Sequence, residues 1–254
     1  MRSLVTLLRN RVSSFLYRYG WDTRCRNRCP ALLLSSSLEQ NGWRSRPGLL
    51  DVGCGRLGVA ACLRHTRVVG SDVLPPTEIA RHFVFVRSDA VALPFRDRAF
   101  PAVSCVDVLE HLPPAVRVQA IGECVRVASR IVLIAFPSGE RSRQFDLEYQ
   151  QACAKRRRPV PDWLEEHLQH EYPVAEQVAE QMRWAVEKSG RGVSLTQFPC
   201  ESLQIARVVR AAASHSSFLY AIVNCVFGLL IPLIPAPRSA HGYRMVLVAE
   251  LSPA

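Results

Sequence analysis

The chain reads as an α/β protein built on a mainly parallel sheet with helices on both faces. Three observations predict this. Short apolar runs alternate with helical stretches from Leu49 to Phe136, the pattern of βαβ units. One of those runs empties into a glycine-rich turn at Gly53, Gly55 and Gly58, a unit that brings backbone N–H groups close to a small ligand. The composition, 48% hydrophobic and 21% charged over 254 residues, is that of one large globular domain, or one domain with insertions.

Before the sheet, residues 1–46 form a basic N-terminal segment. Leu4, Leu7, Leu8, Val12, Phe15, Leu16 and Tyr19 recur at helical spacing, with Arg2, Arg9, Arg11 and Arg18 between them. The arginines break any secretory core, and no small-residue cleavage site follows. An Arg-rich, acid-poor start also suits a mitochondrial transit peptide, a helix packed on the domain or a helix lying on a membrane surface.

The domain itself spans 47–254. Its first five strands are expected at Leu49–Val52, Arg67–Ser71, Phe83–Arg87, Ala102–Val106 and Ile131–Phe136. Val59 to Leu63 reads as the start of a helix after the glycine turn. Pro114–Val127 reads as another, with Val116, Ala120, Cys124 and Val127 on one side. Residues 137–173 are polar and too long for a bare connection; they are read as an inserted lid carrying Lys155-Arg156-Arg157-Arg158 and Trp163-Leu-Glu-Glu-His167. Val174–Lys188 is a further helix. Val193–Gln197 and Tyr243–Glu250 are the sixth and seventh strands. Between them lies a second insertion, 200–240, whose charge-free heart is Phe218–Ile231. That heart is nearly long enough to span a bilayer. Strands on either side of it must share one sheet, so it reads as an interfacial or buried helix ended by Pro232, Pro235 and Pro237.

Glycine at the turn lets a backbone approach a ligand without an intervening Cβ. Gly53-Cys54-Gly55-Arg-Leu-Gly58 matches the dinucleotide fingerprint Gly-x-Gly-x-x-Gly. With Asp51 before it, the stretch also looks like the first motif of class I S-adenosylmethionine (SAM)-dependent methyltransferases. The acid at Asp51 suits the cationic amino group of a methionine moiety better than a pyrophosphate. Asp72 closes the second strand, where a carboxylate accepts from ribose hydroxyls; it supports either nucleotide, and a helix N-cap is the bland alternative. Arg87-Ser88-Asp89-Ala90 resembles the methyltransferase motif that pairs an acid and the next backbone N–H with adenine. Val108-Leu-Glu110-His111-Leu112, after the fourth strand, is similar to the type 11 branch of that family.

These motifs in order imply the Rossmann-like methyltransferase fold: a seven-stranded, mainly parallel sheet, helices on both faces, and inserted lid segments. They imply SAM as cofactor, held by Asp51, Gly53, Cys54, Gly55, Gly58, Asp72, Asp89 and Ala90. Two departures stand out: Arg56 and Leu57 fill a gap that the family usually gives one residue, and Pro101 stands where it usually has Asp.

Methyl transfer from a sulfonium asks chiefly for alignment and exclusion of water. A base is needed only for a nucleophile of low acidity, such as a sugar hydroxyl. His111 is the candidate catalytic residue, with helix capping or packing as the other reading. Asp107 and Glu110 are candidates for orienting water or acceptor. His167 and His170 are expected at the surface.

The net charge is +10, and nearly all the positive charge is arginine. That suits an anionic partner such as a membrane surface or a phosphorylated substrate. Without a zinc finger, basic zipper or RNA-binding aromatics, nucleic acid is the least favoured partner. Nine scattered cysteines without a Cys-x-x-Cys pair suit a reducing, cytoplasmic setting. Cys25 and Cys29 begin a ligand-like spacing that no second pair completes, so no metal is expected. The expected function is O-methylation of a glycan-type, lipid-linked or other amphiphilic small-molecule acceptor, at the cytoplasmic membrane face. The alternatives are methylation of a soluble metabolite, or a non-catalytic SAM-binding subunit.

Overall fold

A computed structural model of the chain describes residues 21–40, 47–56, 58–63, 66–76, 83–230 and 242–252. The helix expected over Met1 to Tyr19, the prolines expected to end the apolar run, and Leu57 lie outside them.

Seven strands form one sheet in the order β3-β2-β1-β4-β5-β7-β6. They are β1 (Pro47–Val52), β2 (Arg67–Asp72), β3 (Phe83–Arg87), β4 (Phe100–Val106), β5 (Ala128–Pro137), β6 (Val193–Ser202) and β7 (Gly242–Leu251). The first five are parallel, and β7 runs antiparallel to β5 and β6. The helices are α1 (Trp21–Gln40), α2 (Pro114–Val127), α3 (Gly139–Lys155), α4 (Asp162–Gln169), α5 (Ala175–Lys188), α6 (Leu203–His215) and α7 (Ser217–Leu230).

The two-residue period of a strand divides the core between the sheet's faces. Leu50, Val52, Val103, Cys105, Val132 and Ile134 point to one face, against Ile121 and Cys124 of α2 and Val178 and Met182 of α5. Leu49, Ala102, Val106, Ile131, Leu133 and Val246 point to the other, against Ala31 and Leu34 of α1. Pro101 falls where the β4–β5 register shifts, between Phe100 and Ala102, a place where a missing N–H is tolerated.

The helix expected after the glycine turn is reduced to one 3₁₀ turn, Gly58–Ala61. The turn consumes much of the short path from Val52 to Arg67. The sheet face left open there is covered by α1, whose Ala31 and Leu34 pack with Val59 and Ala60. The sequence hides α1: it carries Pro30 in its interior and no helical alternation of apolar residues.

Residues 137–173 fold as α3 and α4 above the carboxyl ends of the strands. β6 runs on to Ser202, so the second insertion begins with α6 rather than at residue 200. In α7, Tyr220, Val223 and Phe227 pack with Trp21 and Val209. The opposite side of α7 exposes Phe218, Ile222, Val226 and Leu229. Among the described residues no helix is long and apolar enough to cross a membrane.

Candidate active site

β1 lies between β2 and β4. Chain direction across the sheet reverses there, which opens the crevice where ligands of parallel sheets bind. The turn after β1 enters it with Gly53, Gly55 and Gly58 at φ +69°, +51° and +50°. A Cβ on Gly53 would lie 2.1 Å from a Val108 methyl, and one on Gly58 would lie 1.8 Å from Asp51 Oδ2. Gly55 is different: it is exposed, and a Cβ there would meet nothing within 4 Å. The turn therefore presents bare backbone to open space at Gly55.

Asp51 is buried beneath the turn. Its Oδ1 accepts from the Ser104 hydroxyl at 2.7 Å and its Oδ2 from the Val59 N–H at 2.9 Å. Burial pushes its carboxyl up to about 7, against those two hydrogen bonds. The neighbouring Cys54 thiol is buried, and burial followed by the Asp51 charge raises it. Asp72, at the end of β2, is half-buried. Its Oδ2 accepts from the Gly55 N–H at 2.9 Å and its Oδ1 from the Leu74 N–H at 3.1 Å, so it ties the glycine turn to β2. Asp89 is exposed after β3 and accepts the Val91 N–H at 3.1 Å, with Ala90 at the head of that small turn. Asp51, the glycines, Asp72, Asp89 and Ala90 thus all lie at or just after the carboxyl ends of the adjacent strands β1, β2 and β3.

The end of β4 carries a second constellation. Asp107, at φ +53°, receives both arms of Arg244 at 2.6 and 2.7 Å and pairs with Arg26 at 3.0 Å. Burial would raise its carboxyl, but Arg244 and Arg26 hold it below the usual range. Arg244 also pairs with Glu201. A 3₁₀ turn, Leu109–His111, then presents Glu110 and His111. Arg117 secures this turn by donating to the carbonyls of Leu109, Leu112 and Glu171.

The lid completes this half. His111 Nδ1 lies 2.9 Å from Glu166, and its Nε2 lies 3.2 Å from His167 Nε2. His167 Nδ1 lies 3.4 Å from Asp146 of α3. Burial and then His167 push the His111 imidazole below its usual value, with Glu166 opposing. Asp146 is fully buried and also accepts from Tyr172, Tyr243 and Arg210. Burial would raise it, yet Arg210 and the hydrogen bonds hold it at about 2.

His167 is therefore not the surface residue expected; it is 6% exposed and sits at the centre of the lid's contact with β4. Trp163, Glu166 and His167 fall at helical spacing i, i+3, i+4, so α4 turns all three to one side. That spacing was the available signal. His170 is half-buried at the end of α4. Asp146, Arg210 and Tyr243 carry no sequence signal of their own.

A cavity of about 430 Å³ opens between β4, the lid and α6–α7. His111 and His167 line its floor. Trp21, Tyr149, Trp163 and Tyr220 supply aromatic walls, and Arg26, Arg158, Arg210 and Arg244 supply positive charge.

A family model described as a methyltransferase domain matches residues 50–135, from β1 through β5. A demethylmenaquinone methyltransferase of Thermus thermophilus is 33% identical over 146 residues, which cover 51% of this chain and 60% of that protein. The match thus spans less than two thirds of the curated relative. A solved SAM-dependent methyltransferase of Thermotoga maritima superimposes with a TM-score of 0.52 at 14% identity, over 98% of this chain and 99% of that one. The CurJ carbon methyltransferase gives 0.55 at 13% identity, over 94% of this chain and 57% of that one. Likeness at such identities is likeness of fold.

Residues 50–135 thus carry the methyltransferase domain that the family model describes, on a seven-stranded α/β fold shared with solved methyltransferases. That match, over residues 50–135, is to the type 11 branch of SAM-dependent methyltransferases. The residues fit SAM: the space over Gly55 is open where any Cβ would intrude, and Asp72 stands half-exposed beside it. Bound SAM supplies an electrophilic methyl group on a sulfonium whose leaving group is a neutral thioether.

Proposed function

We propose that this chain methylates a hydroxyl of an amphiphilic, glycan-type acceptor presented at an anionic membrane surface on the cytoplasmic side. The cavity beside His111 carries the reading. Its aromatic walls suit the C–H faces of a sugar, and its arginines suit an anionic group such as a phosphate on the same acceptor. Ser217 and Tyr220 of α7 line that cavity, so the exposed apolar face of α7 begins at its rim. An acceptor with an apolar anchor would lie along that face.

In this reading Asp51, the glycine turn, Asp72, Asp89 and Ala90 hold the cofactor. Arg158 and Arg210 orient the acceptor. His111 takes the hydroxyl proton as the acceptor oxygen gains its methyl group. Glu166 holds its Nδ1 at 2.9 Å and orients the ring. Closure of the lid over the cavity excludes water.

The test has two parts. Full-length protein should bind vesicles containing phosphatidylserine, more weakly as salt rises. Changing Phe218, Ile222 and Leu229 to Ser should release it without lowering its melting temperature. His111→Ala should lower turnover of a hydroxyl acceptor by roughly 10²–10⁴-fold at unchanged SAM affinity. Wild type that ignores vesicles sinks the membrane part. Full turnover in folded His111→Ala sinks the base.

A further inference from the structure

Glu110 is a buried group that the methyl-transfer reading does not use. It is 0% exposed, and among the described residues neither carboxylate oxygen has a hydrogen bond. His167 Nε2 lies 3.8 Å from Oε1, beyond hydrogen-bond reach. An orphaned buried carboxylate is costly, and folded proteins rarely leave one without a reason.

The two histidines beside it carry a matching mismatch. Each turns its Nδ1 to a carboxylate, His111 to Glu166 and His167 to Asp146. A carboxylate at Nδ1 keeps the proton there and leaves the Nε2 lone pair bare. The two Nε2 atoms nonetheless face one another at 3.2 Å. Two lone pairs at that separation repel, and a proton or a metal ion between them removes the repulsion.

We infer that Glu110, His111 and His167 form a binding site for one divalent transition-metal ion of the zinc or iron(II) class. One ligand atom from each lies within 4.8 Å of the others. Two metal–nitrogen bonds of about 2.1 Å with their nitrogens 3.2 Å apart enclose roughly 100°, an angle that tetrahedral and octahedral ions accept. Two imidazoles and one carboxylate favour such ions over magnesium or calcium. The outer carboxylates, Glu166 and Asp146, supply the carboxylate–histidine–metal arrangement that orients ligating rings. The ion would give the Glu110 oxygens the partner they lack. The neighbouring cations do not compete for them, because Arg244 is paired with Asp107 and Glu201, and Arg26 with Asp107. His111 and His167 line the cavity, so the remaining coordination positions face it. The site shares His111 with the acceptor reading, and an ion on Nε2 excludes proton acceptance by that ring.

The test uses full-length protein stripped with a chelator and titrated with Co²⁺ and Zn²⁺. Wild type should take up one equivalent of Co²⁺. Its spectrum should lack thiolate-to-cobalt charge transfer, which separates this site from binding by any of the nine cysteines. Zn²⁺ should displace the cobalt and excess Mg²⁺ should not. His167→Gln and Glu110→Gln should each weaken binding by about tenfold or more, at unchanged SAM affinity. Should Glu110→Gln fail to fold, His111→Gln, at a half-exposed position, serves in its place. No uptake by folded wild type means that a shared proton holds the two rings, and overturns the site. A thiolate band, displacement by Mg²⁺, or equal uptake by the histidine variants overturns it as well.

Discussion

Gly58 sits directly over Asp51: a Cβ on the glycine would stand 1.8 Å from the Asp51 Oδ2. The carboxylate needs that gap, because the same oxygen accepts the Val59 N–H. Gly58→Ala adds both a clash and a side chain at φ +50°. We expect it to cost about 1–3 kcal/mol in urea unfolding and to weaken SAM binding in the same sample. Gly55→Ala, whose Cβ meets only open space, should cost less stability while still weakening SAM. Equal stability losses at the two positions would refute this account of the turn.

Asp51 also sets a pH dependence. Its carboxyl sits near 7 in the folded protein against an ordinary 3.8. The folded state thus holds a proton that the unfolded state has released. The stabilising contribution is complete below about pH 3.8, fades as pH rises, and is gone above about 7. Over that window the ligand-free protein should lose up to about 4 kcal/mol relative to Asp51→Asn. The asparagine keeps both contacts: its carbonyl accepts from Val59, and its amide donates to the Ser104 hydroxyl. Urea unfolding of both proteins at several pH values checks this, and parallel profiles would contradict it.

Asp72 has one oxygen on the Gly55 N–H and the other on the Leu74 N–H. Asp72→Ala removes the tie between β2 and the turn and the acceptor offered to a ribose. SAM affinity should fall by about 1.5–3 kcal/mol for each charge-assisted hydrogen bond lost, read by calorimetry. Unchanged affinity would remove Asp72 from the cofactor site.

Asp146 anchors the lid to the sheet through Tyr172, Tyr243, Arg210 and His167. Asp146→Ala strands the guanidinium of Arg210 with its partner gone, at a cost of about 3–5 kcal/mol. Tyr243→Phe removes one hydroxyl donor and should cost about 1 kcal/mol. Thermal melts of both variants measure the difference. A near-equal loss would mean that packing, not the charge, holds the lid.

Pro47 to Phe136 was legible in the residues because each strand there is a short apolar run and each candidate site residue lies at or just after its strand's end. Asp51, Asp72, Asp89 and His111 could be located for that reason. The later strands were visible, though β6 runs five residues past its expected end at Gln197, to Ser202. Its edge position leaves much of it exposed, which blurs its alternation. α1 was not visible, because it is held by the sheet face that it covers and not by its own pattern.

The sequence by itself determined the α/β class and placed the candidate motif residues at the ends of its strands. Each rests on local signals: glycine at positive φ, an acid at a strand end, apolar period. Only the tertiary structure decided that His167 turns inward to meet His111, that Asp146 gathers Arg210 and Tyr243, and that Glu110 is buried without a hydrogen bond among the described residues. Those pairs stand 56, 64 and 97 residues apart. No local pattern can encode such a meeting, since it depends on how the lid packs across the finished sheet.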